Sequence, residues 1–226
     1  MADSATIHRA DDPLDLTLSP AELEAHREHI SEFIADVTAA AGTDQAVIGL
    51  SGGIDSTLTS HLAVEALGPD NVYGLVMPSE VNAEANMSDA ERVASDLLGI
   101  EYDVVEINPI VDAVLDAYPA AKGDQLAVGN LRVRTRAVLN YLAANHRDAV
   151  VLGTGNRSEA LVGYFTKYGD GAVDCHPIAN LYKAQVRQLA SHVGVPAALA
   201  EKESSAEMWA GQTDEGEMGL SYPTLD

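Results

Sequence analysis

The 226-residue chain has one cysteine, one tryptophan, two phenylalanines and few cations: 13 lysines and arginines against 35 aspartates and glutamates, a net charge of −22. Each shortage excludes something. The single thiol, Cys175, rules out an internal disulfide framework and fits a reducing cytoplasm. Scarce cations argue against nucleic acid as a partner, because its phosphates need cationic patches, and against adsorption to an anionic membrane. No apolar run reaches the roughly 18 residues of a membrane span. The opening MADSATIHRADDP lacks the basic and then apolar stretches of a signal peptide.

Lysine is thinly used: Lys122, Lys167, Lys183 and Lys202, against nine arginines. The carboxylates are spread along the chain, where they repel one another at low salt. Molar salt shortens the screening length to about 3 Å and quenches that repulsion. The composition therefore points to a saline cytoplasm rather than to an ordinary acidic protein. In such a chain a retained lysine is expected to have a task.

What is present is an alternation of helical and strand-like segments. Residues 1–18 read as a polar arm, and 19–226 as one domain. Ser19-Pro20-Ala21-Glu22 is a helix start, with a capping Ser, Pro in the first turn and Glu three residues on. That helix is predicted to run to Ala41 and stop at Gly42. Strands are predicted over 46–50, 72–77, 103–107 and 149–153, and helices over 56–67, 83–98, 130–144 and 181–193. Short apolar strands alternating with helices imply an α/β fold, a doubly wound parallel sheet with helices on both faces.

The strongest local signal is Ser51-Gly52-Gly53-Ile54-Asp55-Ser56, between the first strand and a helix. Ligands of such sheets bind at the carboxyl ends of strands. Two glycines let the backbone turn and approach a ligand, and successive amides at a helix start make an anion site. Asp55 makes little sense against bare phosphate but good sense if Mg²⁺ bridges the two. The loop is neither a Walker A motif nor G-x-G-x-x-G.

This loop resembles the pyrophosphate loop of AMP-releasing ATP pyrophosphatases, which implies cleavage of ATP between its α and β phosphates. A second set of residues narrows the resemblance. Leu152-Gly153-Thr154-Gly155-Asn156-Arg157-Ser158-Glu159 is followed by Gly163-Tyr164-Phe165-Thr166-Lys167-Tyr168-Gly169-Asp170-Gly171, then Asp174, Pro177 and Leu181-Tyr182-Lys183. Gln212-Thr213-Asp214-Glu215 stands near the end. Together these resemble the NAD synthetase family from about Ile30 to Asp226.

The resemblance implies ATP-dependent amidation of deamido-NAD with ammonia, giving NAD, AMP and pyrophosphate through an adenylated carboxylate. It implies a homodimer of the ammonia-dependent type, since 226 residues leave no room for an amidase domain. It assigns Asp55 and Glu159 to Mg²⁺. It assigns Gly49, Leu50, Ser51, Gly52, Gly53, Ile54, Asp55, Ser56, Thr154, Lys183 and Ser205 to ATP, and Arg134, Lys167 and Asp174 to deamido-NAD. Asp55, Glu159 and Lys183 are the expected catalytic set. The family usually carries a further C-terminal segment with a His-Lys pair that this sequence does not include, and Pro where Ser204 stands. Two alternatives stay open: another AMP-forming amide ligase, or a catalytically impaired adenine-nucleotide-binding module.

Some residues also carry an argument of their own. Arg134 shares a helical face with Leu131, Val138, Tyr141 and Leu142, so it is expected to point into apolar surroundings, while Arg132 and Arg136 point elsewhere. Phe165 either stacks on the nicotinate side of the substrate or belongs to the core. Cys175 is read as a small hydrophobe, His26 and His29 as a solvated helix face, and Trp209 as structural.

Overall fold

The apolar residues of the strands alternate between two cores, and that alternation makes the sheet two-faced. In the computed structural model, which describes residues 14–82, 84–202, 204–209 and 211–226, strand β1 (Gln45–Leu50) points Ala46, Ile48 and Leu50 into one apolar cluster and Val47 into another. Strand β4 (Ala149–Leu152) does the same with Val150 and Leu152 against Val151. Strand β2 (Val72–Val76) lies buried along its whole length. With β3 (Glu101–Val104) these form a parallel sheet of order β3-β2-β1-β4, with Ala46 opposite Val72 and Val150. Strands buried on both faces need helices on both sides.

One face is covered by α1 (Pro20–Ala41), α2 (Ile54–Leu67) and α7 (Lys183–His192), which supply Ile30, Ile34, Leu58, Leu62, Val186 and Leu189. The other carries α4 (Asn108–Ala117) and α5 (Gln125–Arg147), through Val111 and Ala144. Helix α3 (Glu84–Arg92) continues as π-helical Val93–Leu98 and closes at Gly99. Short helices α6 (Arg157–Val162), α8 (Ala197–Ala200), α9 (Asp214–Met218) and α10 (Tyr222–Leu225) complete the described residues. No helix among them is long and apolar enough to cross a membrane.

Local signals set several boundaries. Ser19 caps α1 with Glu22 answering in a capping box, and Gly42 ends it at φ 83°, its amide reaching Ala39 and Thr38. Other boundaries differ from the sequence reading. Helix α2 begins at Ile54 rather than Ser56, so the phosphate-type loop is shorter than expected. Strand β3 begins two residues before the predicted 103–107 and ends three before it: its own residues are a largely exposed edge, while Val105 and Ile107, whose amides still donate to the Val76 and Pro78 carbonyls, put their side chains into the second core. Helix α4 was not foreseen; its start is marked only by Asn108-Pro109. Helix α5 extends past both ends of the predicted 130–144, with Asp124 capping its first turn. Residues 1–13 of the expected arm lie outside the described residues. Its end is tied down: the Leu18 amide donates to Gln188 Oε1 at 2.9 Å, and Gln188 Nε2 donates to the Leu16 carbonyl at 3.0 Å.

Candidate active site

The strand order reverses at β1. From there β2 and β3 run outward on one side and β4 lies on the other, so a crevice opens where the β1 and β4 loops part. The β1 loop is Ser51–Gly53, and the β4 loop begins Gly153-Thr154. Both line a cavity of about 490 Å³, within the roughly 300–1,000 Å³ usual for small-molecule sites.

Gly52 stands at φ 73°, a left-handed backbone that favours glycine. Ser51 Oγ accepts from the Gly53 amide at 3.2 Å and lies 3.1 Å from Ser56 Oγ, which donates to the Gly53 carbonyl. Gly53 is the cap residue of α2 and has no side chain to satisfy the first-turn amides. Those amides are donors for an anion. Gly153 is needed for a different reason: a Cβ there would lie 2.5 Å from His176 Nδ1 and 2.6 Å from Val173 Cγ2. The 174–175 segment runs alongside β4, with the Gly153 amide donating to the Cys175 carbonyl at 2.8 Å.

Three ionisable side chains meet on the cavity wall. Asp55, in the first turn of α2, accepts from Lys183 Nζ at 2.5 Å and from Asn156 Nδ2 at 2.9 Å. Glu159 Oε1 lies 3.6 Å from the same ammonium. Lys183 opens α7 and its side chain is only 1% exposed. Its backbone amide donates to Ser158 Oγ, and Asp226 accepts from Ser158 Oγ and from the Ala184 amide. Asn156 and Glu159 form the capping box of α6, which aims both side chains back at the strand end. Tyr222 OH donates to Asp214 Oδ2 at 2.9 Å, and its ring lies 5.0 Å from Lys183 Nζ.

The electrostatics follow from that packing. Burial, then the charge of Asp55, pushes the Glu159 carboxyl up to about 8, against the pull of Lys183. Asp214 is raised too, chiefly by burial. Burial alone would depress Lys183, but Asp55, Glu159 and Asp214 more than offset it and keep the ammonium charged. The site is short of positive charge and rich in buried carboxyl, a setting that a bound cation would relieve.

Gly49, Leu50, Thr154 and Ser205 also line the cavity with the loop residues. Ser205 Oγ is engaged within its own segment, donating to the Gln212 carbonyl at 2.6 Å and accepting from the Glu207 amide at 3.1 Å. Neither Lys167, Arg134 nor Asp174 lines this cavity; all three are exposed. Arg134 Nε donates to the Lys167 carbonyl at 3.1 Å, and Asp174 accepts from Tyr141 OH at 3.1 Å and the Val151 amide at 2.7 Å. They follow the outer side of α5.

The expected direction of Arg134 is therefore corrected. Its helical face, with Val138 67% and Leu142 63% exposed, looks outward. Arg136 faces the cavity, donating from Nε to the Met77 carbonyl at 3.0 Å and from a terminal nitrogen to Asn82 Oδ1 at 3.0 Å. Burial pulls it down to about 10. Arg132 is buried against the Met208 carbonyl and Glu80. Phe165 lines the cavity while half exposed at 51%. Burial, with Asp174 beside it, pushes the Cys175 thiol up to about 11, which makes it a poor nucleophile.

The sequence reading missed Arg136 and Lys202, which line the cavity, and Asn156, the cap of α6, whose side-chain amide donates to Asp55. Asn156-x-x-Glu159 is a readable capping signal. Lys202 fell under the same scarcity argument that singled out Lys167 and Lys183.

Residues 26–226 match the family model described as NAD synthase. This chain belongs to the NAD synthase family. It is 62% identical over 214 residues to an NH3-dependent NAD(+) synthetase of Halobacterium salinarum, covering 95% of this chain and 80% of that protein. Among solved structures it is similar to an NMN synthetase from Francisella tularensis, with TM-score 0.86, 35% identity, and 92% and 85% of the two chains covered. It is also similar to an NH3-dependent NAD synthetase from Campylobacter jejuni, with TM-score 0.75, 35% identity, and 80% and 77% covered. The family's chemistry makes this chain an ATP-dependent ligase of the NAD synthetase type.

Proposed function

We propose that this chain amidates deamido-NAD with ammonia and ATP, and that Asp55, Glu159 and Lys183 are its catalytic set. The observation that carries the reading is the meeting of these three side chains beside the Ser51–Ser56 loop, at the point where the strand order reverses. Lys183 and the α2 first-turn amides would hold the phosphates of ATP, with Thr154 and Ser205 on the walls. A nicotinate carboxylate is already ionised, so it attacks the α-phosphorus with no general base; its oxygen bonds to phosphorus as the bond to pyrophosphate breaks. Ammonia then attacks the acyl carbon, AMP leaves, and the amine loses a proton to give the amide. Lys183 stabilises the charge that builds on the phosphate oxygens. Most of the remaining rate comes from holding two large substrates together.

The donor set fits Mg²⁺. Among the described residues no group of three His, Cys, Asp or Glu side chains is placed to hold a metal. Asp55 and Glu159, which flank the same ammonium on the cavity wall, offer two carboxylates, and Mg²⁺ characteristically combines one or two of these with substrate phosphates. When bound there it would supply charge neutralisation and orientation of the polyphosphate.

Arg134, Lys167 and Asp174 are the proposed contacts to deamido-NAD along the outer side of α5. Val138 and Leu142 are exposed on the same helix, and Tyr168 is exposed next to Lys167, whose carbonyl meets Arg134. Such apolar surface supports association with a second copy of the chain, so we place the homodimer contact there. The charge of −22 supports a saline, cytoplasmic setting. The likeness to an NMN synthetase favours one competing substrate, the nicotinate mononucleotide.

The test is a product assay in molar KCl with ATP, Mg²⁺, ammonium and either deamido-NAD or nicotinate mononucleotide. NAD and AMP in equal amounts from deamido-NAD are expected. Amide product from the mononucleotide alone would move the assignment to the competitor. AMP and pyrophosphate without any amide would leave an uncoupled adenylating enzyme. No product from a folded sample that binds ATP would overturn the catalytic reading.

A further inference from the structure

We propose that Lys202 is a second phosphate-binding cation of the cavity, one that exchanges its partner Asp89 for the terminal phosphates of ATP. The proposal rests on the ATP reading above. Lys202 leads into the segment that walls the cavity with Ser204, Ser205 and Glu207. Its Nζ lies 2.6 Å from Asp89 Oδ2 and 3.5 Å from the Gly52 carbonyl, so the ammonium stands over the middle of the Ser51–Ser56 loop.

Two features set it apart from Lys183. Lys183 is almost wholly buried in the cavity wall and shared between Asp55 and Glu159, whereas Lys202 is 24% exposed and pairs with one carboxylate that is 22% exposed. An ammonium has three donors, and among the described residues Lys202 uses two of them, on Asp89 and the Gly52 carbonyl. Asp89 does not depend on Lys202 either, because Arg92 lies 3.5 Å from its other oxygen. A multiply charged polyphosphate entering over the Gly52 carbonyl therefore outcompetes a single carboxylate for Lys202, and Asp89 falls back on Arg92. Lys183 sits at the Asp55 and Glu159 end, where the α-phosphate reacts, so Lys202 meets the phosphates that leave as pyrophosphate. In a chain with four lysines, two line this one cavity.

A merely structural role would be a tie between α3 and the chain at Lys202. The two roles predict opposite things for Asp89. If the pair is a tie, Lys202→Ala and Asp89→Asn break the same bond and act alike. If Lys202 serves phosphate, Asp89 competes with the ligand, and removing its charge helps binding.

The experiment is calorimetric titration of the whole chain in molar KCl with Mg-ATP and, separately, AMP, on wild type, Lys202→Ala, Lys202→Arg and Asp89→Asn. Lys202→Ala is expected to weaken ATP by tenfold or more and AMP by less than twofold. Lys202→Arg should recover ATP binding to within about threefold, and Asp89→Asn should bind ATP as well as wild type or several-fold better. Unchanged ATP affinity in Lys202→Ala, equal losses for ATP and AMP, or a loss in Asp89→Asn matching that of Lys202→Ala would each overturn the proposal. If Lys202→Ala does not fold, Lys202→Gln and Asp89→Asn decide the matter by the same criteria. Wild type that binds no ATP would sink the ATP reading itself, a result distinct from a wild type that binds ATP and does not need Lys202.

Discussion

Replacing Lys183 by Met removes the cation from between Asp55 and Glu159 while keeping most of the side-chain volume. Lys183 is fully buried, and both carboxylates are about four-fifths buried. Breaking a buried ion pair by deleting one partner costs about 3–5 kcal/mol, because the remaining charge is stranded. At about 2–4 °C per kcal/mol for a chain of this size, the melting temperature should fall by about 6–20 °C. The pH dependence gives a sharper signature. With Lys183 in place, burial and Asp55 already push Glu159 up to about 8 from an ordinary 4.5. Between those values the folded protein binds a proton that the unfolded chain has released, so stability falls as pH rises, and the fall ends near pH 8. Without Lys183 the Glu159 value moves higher still, and the variant goes on losing stability above pH 8 after wild type has levelled off. Circular dichroism melts in molar KCl at about pH 6.5, 8 and 9.5 measure this. A Lys183→Met protein that melts with wild type, or a gap that stays constant above pH 8, would refute the reasoning. Added Mg²⁺ should narrow the gap if Asp55 and Glu159 bind it.

Three further outcomes are expected. Gly153→Ala should lower stability by about 1–3 kcal/mol through overpacking against His176 and Val173; in urea titrations Gly153→Ala/His176→Ala should recover part of that loss, and no recovery would remove His176 as the obstacle. Cys175, with its thiol pushed up to about 11, should resist iodoacetamide at pH 8 until the protein unfolds, as read by intact mass, and Cys175→Ala should keep its activity within about twofold. The melting temperature should rise steadily as KCl is raised to molar levels, because screening relieves a net charge of −22; a flat or falling curve would contradict the electrostatic reading.

Features written in short stretches of sequence were legible in advance. The Ser19-Pro20-Ala21-Glu22 start and the Gly42 stop of α1 came out where expected, since a cap is satisfied by residues within one turn of it. The alternation of strands and helices implied a parallel sheet, and the Ser51–Ser56 loop announced itself by chemistry confined to six neighbours. The direction of the three arginines on α5 was not legible. Leu131, Val138, Tyr141 and Leu142 look like a core face by spacing, yet which stripe of a helix is covered depends on what packs against it. Here Arg136 turns inward to Met77 and Asn82, while Arg134 faces out. Strand β3 differs from its expected place for a related reason: Glu101, Asp103 and Val104 form an exposed edge, so the apolar signal falls on Val105 and Ile107 just beyond it.

The sequence by itself thus determined the kinds of element, their caps and the loop that can cradle an anion, because those depend on backbone propensity and on hydrogen bonds between near neighbours. Only the tertiary structure decided that Asp55, Glu159 and Lys183 share one wall and that Lys202 reaches Gly52. The Asp55–Lys183 and Gly52–Lys202 contacts span 128 and 150 positions along the chain. They exist because the sheet order reverses beside β1 and brings the ends of β1 and β4 to the same crevice.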